Sequence, residues 1–107
     1  MYKQLFFLLG LLSLCTGCAG HHYISDNSGS VSLYLRLPDA TDVQFASSID
    51  AYQLHDTRKN GLGFWEINMP IKPESTYFYI VDGSFYIPDC RFREMDDFGS
   101  ENCLYLP

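Results

Sequence analysis

From residue 31 onward, apolar and polar side chains alternate: Val31, Leu33, Leu35 and Leu37 are apolar, and Ser32, Tyr34 and Arg36 lie between them. A period of two marks a strand half buried against a core, and Pro38-Asp39 stops it. A second short strand is expected over residues 43–47, with residues 52–54 as a third or an edge segment. Arg58-Lys59-Asn60-Gly61 reads as a turn, because Asn-Gly readily takes positive φ. Residues 64–69 form another strand, ended by Pro70. The densest β-forming run is residues 76–81, and Asp82-Gly83 turns it tightly into Phe85-Tyr86-Ile87. Residues 88–101 read as a long acidic loop, and residues 102–106 as a closing strand. Outside the N-terminal segment no stretch repeats at the helical period. About seven short strands separated by turn residues predict an all-β sandwich.

The first residues follow a different pattern. Lys3 precedes the apolar run Leu5-Phe6-Phe7-Leu8-Leu9-Gly10-Leu11-Leu12, far shorter than the roughly 20 residues of a membrane-spanning helix. It reads as a signal peptide. Thr16-Gly17-Cys18 then resembles the cleavage site of bacterial lipoproteins, although Cys15 stands where that family usually has Leu. The resemblance implies a leader over residues 1–17 and lipid attachment at Cys18. Ala19 in second place implies transfer to an outer membrane where there is one. An ordinary secretory peptide and an uncleaved anchor are the alternative readings. Residues 18–30 are polar and rich in Gly and Ser, the composition of a flexible tether. That leaves residues 31–107 as the folding unit. His21-His22 reads as polar filler in the tether rather than as a metal grip.

Composition narrows the function. Aromatic residues make up 16% of the 107-residue chain, enough apolar mass to rule out a disordered protein. Without Lys3, six basic residues face thirteen acidic ones, which disfavours nucleic acid and anionic lipid as partners. Cys15 and Cys18 form a C-x-x-C inside the export signal, where a redox role is out of place. Cys90 and Cys103 are left, and export to an oxidising compartment makes a disulfide between them the expectation, against two buried free thiols. The catalytic inventory is thin. There is no nucleophile elbow, zinc-protease motif or phosphate loop, and His55 beside Asp56 reads as a solvated loop residue. The acidic residues Asp89, Glu94, Asp96, Asp97 and Glu101 do not follow the spacing of a calcium loop. We therefore expect no enzyme activity, no cofactor and no metal. The aromatics Tyr52, Trp65, Tyr77, Phe78, Tyr79, Phe85 and Tyr86 exceed what a small core requires. They serve either as packing or as stacking platforms for sugar rings.

The order Phe64-Trp65-Glu66, Tyr77-Phe78-Tyr79-Ile80-Val81-Asp82-Gly83, Pro88-Asp89 and Asp97-Phe98-Gly99-Ser100-Glu101-Asn102 resembles the glycogen-binding domains. These are the carbohydrate-binding module family 48, of the AMP-activated protein kinase β-subunit type. The resemblance covers roughly residues 31–106, nearly all of the mature domain, and implies an early-set, immunoglobulin-like sandwich that binds α-glucan. Carried over position by position, it makes Tyr52 and Phe85 the stacking residues and Asn102 the polar anchor. The family's sugar-binding lysine falls at Phe78. Two functions follow as expectations: a lipid-anchored module for an α-glucan-type polysaccharide, or an envelope lipoprotein that kept the fold, lost the sugar and holds another envelope protein.

Overall fold

In the computed structural model, which describes residues 22–107, the alternation around residue 33 becomes a strand with one fully buried side. Val31, Leu33 and Leu35 are each 2% exposed or less. The elements in chain order are β1 (His22–Asn27), β2 (Ser30–Arg36), β3 (Val43–Ser47), one turn of 3₁₀ helix (Ser48–Asp50), β4 (His55–Asp56), β5 (Arg58–Lys59), β6 (Phe64–Met69), β7 (Thr76–Val81), β8 (Ser84–Tyr86), β9 (Arg93–Met95) and β10 (Glu101–Leu104). One sheet runs β1-β2-β6-β5, and the other runs β4-β3-β7-β10-β9 with β8 also beside β7. All pairings are antiparallel. The protein is an all-β, immunoglobulin-like sandwich.

The core lies between the sheets. Leu33, Leu35 and Trp65 from the first face Phe45, Tyr77, Tyr79 and Cys103 from the second. Burying an aliphatic or aromatic side chain of this size contributes roughly 1.5–3 kcal/mol. The Trp65 indole donates to the Leu37 carbonyl at 2.9 Å, so its one polar group is satisfied. The Cys90–Cys103 disulfide, with Cα atoms 5.9 Å apart, ties the segment after β8 to β10, and this is the pairing expected from the sequence.

Several expectations need correcting. The described residues form ten strands where about seven are expected, and the largest difference is the tether. Residues 22–30 are not flexible: β1 and the start of β2 form a hairpin with Asn27 opposite Ser30. Its inward residues are His22, Ile24 and Asp26, two of them polar, so no apolar alternation announces the strand. Both polar groups find tyrosine hydroxyls across the sandwich. His22 Nε2 lies 3.2 Å from the Tyr79 hydroxyl, and the Tyr105 hydroxyl donates to Asp26 at 2.9 Å. The rest of the expected tether, residues 18–21, and the expected leader at 1–17 lie outside the described residues.

Residues 52–54 are not a strand either. The edge pairing falls on β4 and β5, with Thr57 between them. Thr57 donates to the Val43 carbonyl from its amide (3.1 Å) and its hydroxyl (2.7 Å), and there the chain crosses from the second sheet to the first. The expected turn at Asn60-Gly61 exists, but its positive φ belongs to Gly63, at 84°. Asn60 acts through its side chain, whose Oδ1 accepts from the amides of Leu62 and Phe64. The acidic loop is partly ordered as β9. Its Arg93 reaches Glu101 at 3.2 Å.

The Asp82-Gly83 turn is as read. Both residues have positive φ, 49° and 83°, which suits a two-residue hairpin of the right twist. Asp82 Oδ1 also accepts from the amides of Thr41 and Asp42 at 2.8 and 2.7 Å, so this carboxylate fixes the entry to β3.

Candidate functional site

Strand β7 sends Tyr77 and Tyr79 into the core, where they are 1% and 0% exposed. By alternation Thr76, Phe78 and Ile80 point outward. β8 places Phe85 opposite Ile80, and β3 places the small Ala46 opposite Phe78. The Phe78 and Phe85 rings meet at 4.9 Å and 43°. Tyr52 comes from the loop after the 3₁₀ turn and stacks on Phe78 from the other side, at 5.6 Å and 23°. The result is a continuous aromatic strip on one outer face, with Tyr52 at 39% and Phe85 at 51% exposure. The outward positions of β3, β7 and β8 (Gln44, Ala46, Thr76, Phe78, Ile80 and Phe85) carry no ionisable group, and the carboxylates of this face lie on the flanking strands, Asp56 opposite Gln44 and Glu94 opposite Asn102.

Holding Tyr52 there strains the backbone. Ala51 and Tyr52 both have left-handed φ, 59° and 63°, which costs an L-residue roughly 1–2 kcal/mol each. Several contacts hold this conformation in place. The Tyr52 amide donates to the Ser47 carbonyl at 2.9 Å, and the Tyr52 hydroxyl pairs with that of Thr76. The Thr76 amide donates to Ser48 Oγ at 3.0 Å. Across the base of the loop, His55 Nε2 pairs with Asp50 Oδ2 at 2.5 Å, so His55 is a loop clamp rather than a solvated side chain. Strained residues of this kind concentrate where a side chain must be presented in one orientation.

Of the residues picked out in the sequence, Tyr52 and Phe85 thus come together on one surface. Asn102 lies on the neighbouring strand β10, on the side opposite the inward Cys103, and is only 8% exposed. Its side chain is thus largely withdrawn from the surface. Phe78, where the family resemblance sets a lysine, is the ring that joins the two exposed aromatics. The alternation at residues 76–81 already put Phe78 on the side away from Tyr77 and Tyr79. What it lacked was which of the two sides is outermost.

The remaining sequence candidates do not converge. Among the described residues no group of three or more His, Cys, Asp or Glu side chains is placed to hold a metal ion. Asp96 is spent on its own turn, where Oδ1 accepts from the amides of Phe98 and Ser100, each at 2.9 Å. His22 is a packing residue, stacked on Tyr77 at 5.8 Å. Its burial pushes its pKa down to about 4, against a smaller opposing pull from Asp89. Burial also pushes the Tyr77 and Tyr79 phenols well up, so neither ionises at neutral pH. No helix among the described residues is long and apolar enough to cross a membrane, and Cys18 lies outside them. Compared with known proteins, the chain matches no family model and no curated sequence.

Proposed function

We propose that this protein is an exported lipoprotein, held to the cell envelope through lipid on Cys18, whose domain is a non-catalytic carbohydrate-binding module for α-glucan-type polysaccharide. The observation that carries the reading is the Tyr52–Phe78–Phe85 strip. It is uncharged and partly exposed, its Tyr52 end is held by the contacts of its loop, and its outer rings offer faces that can stack on the C–H faces of sugar rings. The three rings carry no charge, which suits a neutral ligand.

The strip sets the strength as well. With Phe78 in place of a cationic donor, the site lacks a directed hydrogen bond to a charged group, worth about 1.5–3 kcal/mol. Binding is therefore expected nearer millimolar than micromolar, about −4 kcal/mol. Affinity electrophoresis through gels cast with and without glycogen, starch or pullulan tests this. The wild-type protein should be retarded and Phe85→Ala should not, while its thermal unfolding stays cooperative. Unchanged wild-type mobility in every gel would refute the reading.

One observation favours a second reading, an envelope protein that binds another protein. Phe98 is 94% exposed at the tip of the β9–β10 hairpin, a turn held by Asp96. A bare ring on a rigid tip is a suitable anchor for a partner's apolar pocket. Loss of a co-purifying envelope protein in Phe98→Ser, with no retardation of the wild type in glucan gels, would establish it instead.

A further inference from the structure

The sheet opposite the aromatic strip has a surface that the proposed site leaves unused. β2 turns Ser32 and Tyr34 outward, and β6 sets Glu66 and Asn68 directly beside them. β5 places Arg58 across from Glu66 and then ends. The chain crosses to the other sheet through Thr57, so Asp56 closes one side. These six residues line a groove of about 380 Å³, within the roughly 300–1,000 Å³ of small-ligand sites.

The groove's chemistry selects among ligands. Asn68 Nδ2 donates to Ser32 Oγ at 2.9 Å and to Ser30 Oγ at 3.3 Å, which fixes the amide and leaves its oxygen as an acceptor. Asp56 receives a single side-chain bond, from Gln44 at 3.3 Å. Among the described residues Arg58 makes no ion pair, even with Glu66 opposite, so its planar fork is available. Tyr34 is braced by Tyr23 at 4.9 Å and 23°, and Tyr23 in turn packs edge-on against Phe64 at 5.4 Å. An anion here would meet two carboxylates, and a cation would meet the guanidinium. A neutral polyol uses all of them, because planar amide, carboxylate and guanidinium groups can each hold adjacent hydroxyls. The aromatic ring takes the apolar face of the sugar.

We infer that this groove is a second saccharide site, taking a short neutral oligosaccharide on the sheet opposite the aromatic strip and making the domain bivalent for polysaccharide. The choice of an α-glucan as ligand rests on the function proposed above; the groove itself does not depend on the strip. Two weak sites on one rigid body raise avidity for a long chain by about a hundredfold or more over a short one.

The test is amide chemical-shift mapping of the full chain, in zwitterionic micelles that carry no sugar headgroup, titrated with maltoheptaose. Two separate sets of shifts are expected, one on β7, β8 and the Tyr52 loop, the other on β2, β5 and β6. Arg58→Ala and the isosteric Glu66→Gln should each weaken the second set at least about tenfold, the loss of one charged hydrogen bond, and leave the first unchanged. Phe85→Ala should do the reverse. Shifts confined to the strip would overturn the groove and leave the proposed function standing. Shifts confined to the groove would support it and overturn the strip. Two sets of shifts with the second insensitive to both groove variants would overturn the assignment of these residues. No shift anywhere would overturn both sites.

Discussion

The edge strand β1 is held by a histidine that must stay neutral, and this makes its docking sensitive to acid. His22 stacks on Tyr77 and pairs with the fully buried Tyr79 hydroxyl, and burial lowers its pKa from 6.5 to about 4. In the unfolded or undocked chain the ring titrates near 6.5. Between those values the undocked state binds more protons, so stability rises with pH across the window. The contribution is complete above about pH 6.5 and is lost progressively as pH falls from there to about 4. At 1.36 kcal/mol per unit, the difference is about 3 kcal/mol. His22 is the first residue of an edge strand, so the chain can relieve the cost by releasing β1 alone. The loss then stops at the free energy of undocking one edge strand.

The perturbation is His22→Gln, which keeps a polar group for Tyr79 and does not titrate. Hydrogen exchange of the β1 amides, measured against those of β7 from pH 7 to pH 4 and corrected for intrinsic rates, reads the effect. Wild-type β1 should lose protection progressively below pH 6.5 while β7 holds. The variant should show a shallower fall, with a difference approaching about 3 kcal/mol at pH 4. Parallel profiles for wild type and variant would refute the reasoning, because no proton would then be linked to β1 docking through His22.

Two further outcomes are expected. Alkylation of the exported protein without reductant should leave Cys90 and Cys103 unmodified by intact mass, and replacing both by Ser should cost about 3 kcal/mol in urea unfolding, the chain-entropy value for a short loop; two alkylated cysteines in the wild type would contradict it. Cys18→Ser should move the protein from the membrane to the soluble fraction if lipid on Cys18 is the anchor, since stable attachment needs more than one acyl chain; a variant that stays membrane-bound and unprocessed would sink the lipid-anchor reading.

The candidate sites were legible to different depths. Tyr52 and Phe85 could be picked out from the chain, because the segments around them follow a recognisable order. Their meeting through Phe78 depends on a loop with two left-handed residues, Ala51 and Tyr52, that no local pattern encodes. The groove was not legible at all. Its residues come from three strands and a crossover at Thr57, and Ser32, Glu66 and Asn68 read one by one as the solvated side of their strands.

The sequence by itself determined the fold class, the strands β2, β3, β6 and β7, the Asp82-Gly83 hairpin and the Cys90–Cys103 pairing. In each case the information is local, or follows from elimination. Alternation at period two exposes which side is buried, an Asp-Gly pair accepts two positive φ values in succession, and two cysteines are left once those of the expected export signal are set aside. Tertiary structure decided what depends on a partner far away in sequence. Residues 22–27 look like tether because His22 and Asp26 are polar. They form a strand paired along β2, where His22 meets the buried Tyr79 hydroxyl and Asp26 accepts from the Tyr105 hydroxyl. A polar side chain carries no sign of whether water or a buried tyrosine will be its partner, and here that choice separates a flexible leash from a sheet edge.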